Sequence, residues 1–133
     1  MGRMKRWFTH LLGAKRPITH IILVGIDYPS YVLAQALQNT HTHSKIVAFI
    51  DDEPWVNKTQ MHGIIIYYPS DLCALIKKHS VKWVIQIDGQ KPKLAPEVIH
   101  EIQTNKATLL HFPSDITLEE QIDHLQSYID ILI

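Results

Sequence analysis

A doubly wound α/β fold, with one parallel sheet and helices on both of its faces, is what this sequence predicts. Three observations carry that expectation. Apolar runs of strand-forming residues recur five times, at Thr19 to Val24, Lys45 to Ile50, Gly63 to Tyr68, Lys82 to Ile87 and Ala107 to Phe112. Segments with one apolar face at helical spacing separate most of them. The runs are apolar almost throughout rather than alternating, as in strands buried on both faces, and parallel neighbours then need right-handed crossovers. About five strands in the order 3-2-1-4-5 is the simplest arrangement.

Each element has its own justification. The first strand stops at Gly25, the chain turns, and Ser30 to Thr40 follows as a helix with Leu33, Ala34, Ala36 and Leu37 inward and Gln35, Gln38 and Asn39 outward. A polar stretch through His41 and His43 leads to the second strand, which runs into Asp51-Asp52-Glu53-Pro54. The connection to the third strand is too short for a full helix, so a loop or one turn is expected there. The third strand is rich in β-branched and aromatic residues. Pro69-Ser70-Asp71 offers an N-cap to a helix with Leu72, Leu75 and Ile76 inward and Lys77 and Lys78 toward water. The fourth strand ends at Asp88-Gly89. Pro96 suits the first turn of a helix that turns Val98, Ile99 and Ile102 inward. After the fifth strand, Thr117-Leu118-Glu119-Glu120 is a capping-box pattern, and Leu118, Ile122, Leu125, Ile129 and Leu132 share one face.

With 133 residues and 46% hydrophobic content, residues 17–133 have room for a single domain with a real core. Lys and Arg number 13 and Asp and Glu 13, a balance that argues against nucleic acid as a partner. The distribution is uneven. Residues 1–16 carry five basic residues (Arg3, Lys5, Arg6, Lys15, Arg16) and no acid, with Met4, Trp7, Phe8, Leu11 and Leu12 at helical spacing. Two readings stay open: a basic amphipathic leader in peripheral contact with an anionic membrane, or a terminal helix or leader without such contact. No apolar run approaches the ~20 residues that a membrane span needs. A cytoplasmic location, peripheral at most to the inner face of the membrane, is the expectation. Cys73 stands alone, which excludes an internal disulfide and suits a core position on its helix.

Strand, tight turn and helix at Thr19 to Ala34 is the order in which a Rossmann-type domain places its phosphate loop. If Gly25 is the first glycine of GxGxxG, Asp27 and Ser30 occupy the other two glycine positions. The carboxyl ends of the strands, where such sheets bind ligands, gather Gly25, Ile26, Asp27, Tyr28 and Ser30 with Asp51, Asp52 and Asp88; these are the candidate nucleotide-binding residues. An acid after the second strand hydrogen-bonds an adenosine ribose in dinucleotide domains, and Asp51 fits that role. Asp27 conflicts with a phosphate. A carboxylate ~4 Å from a phosphate charge costs roughly 4 kcal/mol at an effective dielectric near 20. Either Asp27 points away, or a cation bridges it, or the ligand has no phosphate there. No catalytic arrangement and no metal site emerges. His41-Thr42-His43 has neither cysteine nor acid beside it, and His111 is the histidine placed near the rim.

The segments Ile21 to Leu37, Val47-Ala48-Phe49-Ile50-Asp51-Asp52-Glu53-Pro54, Gly63 to Tyr67, and Asp71-Leu72 through Leu75-Ile76-Lys77-Lys78-His79 with Val84-Ile85 resemble a known family. It is the CoA-binding-like N-terminal nucleotide-binding domain of CapD-type polysaccharide biosynthesis proteins, membrane-anchored nucleoside-diphosphate-sugar epimerases and dehydratases. The resemblance spans roughly residues 19 to 133. It implies a Rossmann-like fold that binds NAD or a nucleotide sugar of the UDP-sugar type, with Gly25, Ile26 and Asp51 at matching positions. Two departures stand out: Gly25-Ile26-Asp27-Tyr28-Pro29-Ser30 replaces Gly-Ala-Gly-x-x-Gly, and Asp88-Gly89 replaces a small Pro-Ser type turn. The expected function is a stand-alone binding module for surface polysaccharide synthesis that holds no catalytic domain. The alternatives are a degenerate Rossmann domain that pairs with itself or a partner protein, and a fragment of an epimerase or dehydratase.

Overall fold

The computed structural model describes residues 17–40 and 43–131, with side chains through residue 128. The basic stretch 1–16, His41, Leu132 and the side chain of Ile129 lie outside the described residues. In chain order the elements are β1 (Thr19–Val24), α1 (Tyr28–Gln38), β2 (Ser44–Ile50), a 3-10 turn (Pro54–Val56), β3 (Gln60–Met61), β4 (Ile64–Tyr67), a second 3-10 turn (Pro69–Asp71), α2 (Leu72–His79), β5 (Trp83–Ile87), α3 (Pro96–Thr104), β6 (Thr108–Phe112) and α4 (Leu118–Ile131).

The strands form one sheet in the order β3-β4-β2-β1-β5-β6. The five strands from β4 to β6 are parallel, in the expected order, and the winding reverses between β1 and β5. The expectation of five strands is corrected by one. Gln60–Met61 pairs antiparallel with β4 across a two-residue turn, His62-Gly63, and both turn residues have positive φ, +56° and +77°. That conformation matches the twist of a tight hairpin, and glycine adopts it without strain. The hairpin is tied to α1. The His62 ring lies 4.3 Å from that of Tyr31, its Nε2 donates to the Tyr31 carbonyl at 3.2 Å, and Gln38 Nε2 donates to the His62 carbonyl at 3.3 Å.

Alternate residues of the central strands feed two cores. Ile21, Leu23, Phe49 and Ile85 pack with Leu33, Leu37 and Leu125 of α1 and α4 on one face. Ile22, Val24, Ile50 and Val84 pack with Leu72, Leu75, Ile76 and Ile102 of α2 and α3 on the other. Every residue of β5 is buried, as a central parallel strand requires. The capping box is present: Glu120 N donates to Thr117 Oγ1 at 3.1 Å and Thr117 N to Glu120 Oε1 at 2.9 Å. Cys73 is half-buried rather than a core residue, and Asn105 Nδ2, just past the end of α3, donates to its sulfur at 3.1 Å. Helix α1 begins at Tyr28, two residues before the expected start, since Pro29 needs no amide partner in a first turn.

Candidate functional site

Four strand ends meet along the carboxyl edge in the sheet order β2, β1, β5, β6, and they bring Asp51, Gly25, Asp88 and His111 to one rim. Gly25 is buried with φ +104°, and its N–H donates to the Ile50 carbonyl at 2.7 Å. A Cβ at this position would lie 2.8 Å from the Lys91 carbonyl oxygen and 3.3 Å from Ser30 Oγ. The turn is therefore tight in conformation and tight in space, and only glycine fits it. Ser30, 2% exposed, is small enough to let α1 sit close to that turn.

Ile26 is half-buried against the core. Asp27 is the exposed N-cap residue of α1, yet its carboxylate makes no capping hydrogen bond, so it does not plug the helix N-terminus. Tyr28 stands 76% exposed beside it.

Asp51 is the buried acid of the rim, 1% exposed, while Asp52 next to it is exposed. One carboxylate oxygen of Asp51 accepts the Glu53 N–H at 3.1 Å; the other, Oδ1, is buried without a hydrogen-bond partner. Burial raises the Asp51 carboxyl above its usual range, and the adjacent Asp52 adds to the rise, against the lowering effects of the Glu53 N–H and Lys91. An ionised acid held this way is a strong acceptor lacking a donor.

The loop between β5 and α3 supplies residues the sequence reading passed over. Gln86, a buried amide in an otherwise apolar strand, donates from Nε2 to the Pro92 carbonyl at 2.8 Å and to that of Gln90 at 3.4 Å, and so holds the loop down on the rim. The loop carries Lys91 across the Gly25 turn. Lys91 Nζ reaches Glu53 Oε1 at 3.4 Å, and the hydrogen bond and charge of Glu53, then the charges of Asp27 and Asp51, raise the lysine above its ordinary range. Lys91 is thus the cation that faces Asp27. On the β6 side, Gln86, Asp88, Lys91, Lys93 and His111 line a cleft of about 410 Å³. His111 Nδ1 is 3.4 Å from Asp88 Oδ1 within it.

The structure therefore brings Gly25, Asp27, Ser30 and Asp51 together under the Lys91 loop, and sets Asp88 apart in the adjoining cleft. Gln86 had a legible signal, a polar residue inside a fully apolar run. Lys91 had none, because its role depends on a contact 38 positions away in sequence.

The fold is similar to that of UDP-D-quinovosamine 4-dehydrogenase from Vibrio fischeri, with a TM-score of 0.61 at 28% sequence identity over 80% of this chain and 85% of that one. It is similar also to RSP, a Rex-family repressor, with a TM-score of 0.61 at 10% identity, over 92% of this chain and 64% of that chain. RSP in complex with β-NADH gives 0.60 at 9% identity, over 92% and 65%. No model of a protein family matches the chain, and no curated protein matches it. The fold is of the Rossmann type.

Proposed function

We propose that this domain binds a nucleotide, as NAD or a UDP-sugar, across the carboxyl edge of its sheet and serves surface polysaccharide synthesis as a binding module. The observation that carries the reading is Asp51 Oδ1, a buried acceptor without a donor at the end of β2. A ribose hydroxyl is the donor such an oxygen lacks, and a hydrogen bond to a charged acceptor contributes about 1.5–3 kcal/mol. In this reading Lys91 exchanges Glu53 for the ligand. For the diphosphate to lie over the Gly25 turn, the loop that carries Lys91 lifts from it, Lys91 and Lys93 then serving as its cations, and the remainder of the ligand enters the cleft beside Asp88 and His111. Asp52 and Glu53 next to the ribose site repel a 2′-phosphate, so NADP is excluded.

The likeness to a UDP-sugar dehydrogenase, together with the resemblance to CapD-type domains, supports the sugar-nucleotide side of this reading. The β-NADH held by RSP supports a dinucleotide. Thermal melting with NAD, NADP, CoA and UDP-sugars, each with and without Mg²⁺, tests it. A rise of several degrees with NAD or a UDP-sugar and none with NADP is expected; no rise with any compound at millimolar concentration refutes the site. A second reading, a ligand-free domain that pairs with a second copy, draws on Tyr28 and Trp55, each 76% exposed. Sedimentation of a concentration series, with a Trp55→Ala variant beside it, separates the two.

A further inference from the structure

The charged side chains of this domain divide unevenly between the two edges of its sheet. The carboxyl edge and the first helical turns beside it hold Asp27, Asp51, Asp52, Glu53, Asp71 and Asp88, with Glu97, Glu119 and Glu120 on α3 and α4, against the cations Lys58, Lys91 and Lys93. The amino edge holds Lys45, Lys77, Lys78, Lys82 and Lys106. On α3, Glu101 lies one turn before the helix end that leads to Lys106.

Backbone pairing sets part of this array in a row. Lys45 is the register partner of His20; Lys82 N donates to the His20 carbonyl at 3.0 Å; and the Lys82 carbonyl accepts from Thr108 N at 2.9 Å, with Lys106 in the turn two residues before that strand begins. Lys77, Lys82 and Lys106 line a single cleft of about 250 Å³ with Ser80 and Asn105. No ion pair joins any of the five lysines to another described residue. The field they make is felt by His79, whose ring burial first and then Lys78, His20 and Lys45 hold below its usual pKa. A helix dipole accounts for basic residues in the last turn of α2. It does not account for Lys45, Lys82 and Lys106, which lie outside the helices.

We propose that the amino edge is a docking surface for anionic phospholipid headgroups, with the Lys77, Lys82 and Lys106 cleft taking a headgroup phosphate. The chain enters β1 at this edge through Ile18, 59% exposed, and the preceding sixteen residues combine five basic residues with Trp7, Phe8, Leu11 and Leu12. Basic residues interleaved with aromatic and leucine side chains is the composition of a segment that seeks a lipid interface, and the leucines in particular have no partner on a phosphate backbone. The acidic opposite edge is repelled by the same surface. The domain therefore sits with its nucleotide cleft turned away from the membrane.

Co-sedimentation of the full chain with vesicles tests this. Vesicles containing phosphatidylglycerol should retain it, pure phosphatidylcholine vesicles should not, and added salt should weaken retention. Each basic residue near such a surface contributes about fivefold to partitioning. Lys82→Glu/Lys106→Glu should lower it at least about tenfold, and Lys82→Gln/Lys106→Gln by less. Lys58→Glu, on the carboxyl side, should leave it within about twofold, because the Debye length near 0.15 M salt is only ~8 Å. Equal retention on both vesicle types overturns the proposal, as does a Lys58 effect matching the double reversal. So does a double reversal that binds like the parent chain, which would leave attachment to residues 1–16 alone. Tighter binding to duplex DNA or RNA than to the vesicles at the same salt would assign the edge to nucleic acid instead.

Discussion

Replacing Asp51 by Asn separates the cost of the buried carboxylate from its use. The residue is 1% exposed, with one oxygen on the Glu53 N–H and Oδ1 unpaired. A buried group left without its hydrogen bond costs about 1–3 kcal/mol, and more when it is charged. In the variant the amide oxygen keeps the Glu53 bond, and a neutral but still unpaired NH₂ stands where the charge was. The net gain should be about 1 kcal/mol, the difference between the charged and neutral penalties. For a chain of this size that raises Tm by about 3–5 °C at neutral pH. The pH dependence follows from burial raising the native pKa above the ordinary 3.8. The native state holds the proton more tightly than the unfolded chain. Stability from this group is thus complete below the unfolded pKa and is lost as pH rises through the native one. Melting curves of the two proteins should coincide in acid, and the variant should lead at neutral pH. Calorimetric titration should show the opposite trend in ligand binding. A ribose hydroxyl that loses a charged acceptor forfeits about 1.5–3 kcal/mol, so Kd for NAD or the UDP-sugar should rise roughly 10- to 100-fold. A variant that melts below the parent at neutral pH, or binds as well, refutes the assignment of Oδ1 as an unpaired ligand acceptor.

Four further substitutions probe the loop over the rim. Gly25→Ala should lower stability by about 2 kcal/mol or more in urea unfolding, since φ of +104° and a Cβ 2.8 Å from the Lys91 carbonyl strain backbone against backbone. Gln86→Leu should cost about 1–3 kcal/mol by leaving the Pro92 carbonyl without its donor, and should speed amide exchange in residues 88–95 while the amides of β1 stay protected. Glu53→Gln and Lys91→Gln should act in opposite directions on nucleotide affinity: the first releases Lys91 to the ligand and tightens binding, and the second removes the cation and weakens it. Weakening by both would mean that the Lys91–Glu53 bridge is part of the bound state.

The sheet was legible because each central strand is buried on both faces, which leaves long apolar runs such as Trp83 to Ile87 that a helix of this amphipathic chain does not imitate. Length hid the hairpin. Gln60–Met61 is too short for any periodicity to register, and its turn uses His62-Gly63 where Asn-Gly is the usual signal. The start of α1 was misplaced because Pro29-Ser30 reads as a turn, whereas Pro29 in a first helical turn is compatible with an earlier beginning. At the rim, the residue types Asp27, Asp51 and Asp88 announced themselves. Their different states did not. The burial of Asp51, the exposure of Asp27 and the pairing of Asp88 with His111 depend on tertiary packing, and the last joins positions on different strand ends.

Two missing glycines change the backbone of the turn after β1 less than the motif suggests. Asp27 adopts φ −72° and ψ 176°, extended backbone open to any residue, and Ser30 packs against the Gly25 turn with a side chain small enough to preserve the approach of helix to strand. Neither residue strains the backbone, and what a glycine would not bring to the turn is the Asp27 charge. Lys91 offsets that charge while also serving Glu53 and Asp51, so one cation faces three carboxylates before any ligand arrives. A diphosphate makes the imbalance larger. Asp27→Gly tests whether charge alone limits the site: Asp27 makes no capping hydrogen bond, and glycine at an N-cap costs only a few tenths of a kcal/mol. A carboxylate ~4 Å from a phosphate costs between about 1 and 4 kcal/mol, according to how far water screens the pair. The variant should therefore bind NAD or the UDP-sugar at least about fivefold more tightly. Its gain from added Mg²⁺ should be smaller than the parent's, because the metal would no longer be needed between like charges. Affinity unchanged in both conditions would place the phosphates away from the helix N-terminus, and the ligand would then approach Asp51 from the β2 side of the rim.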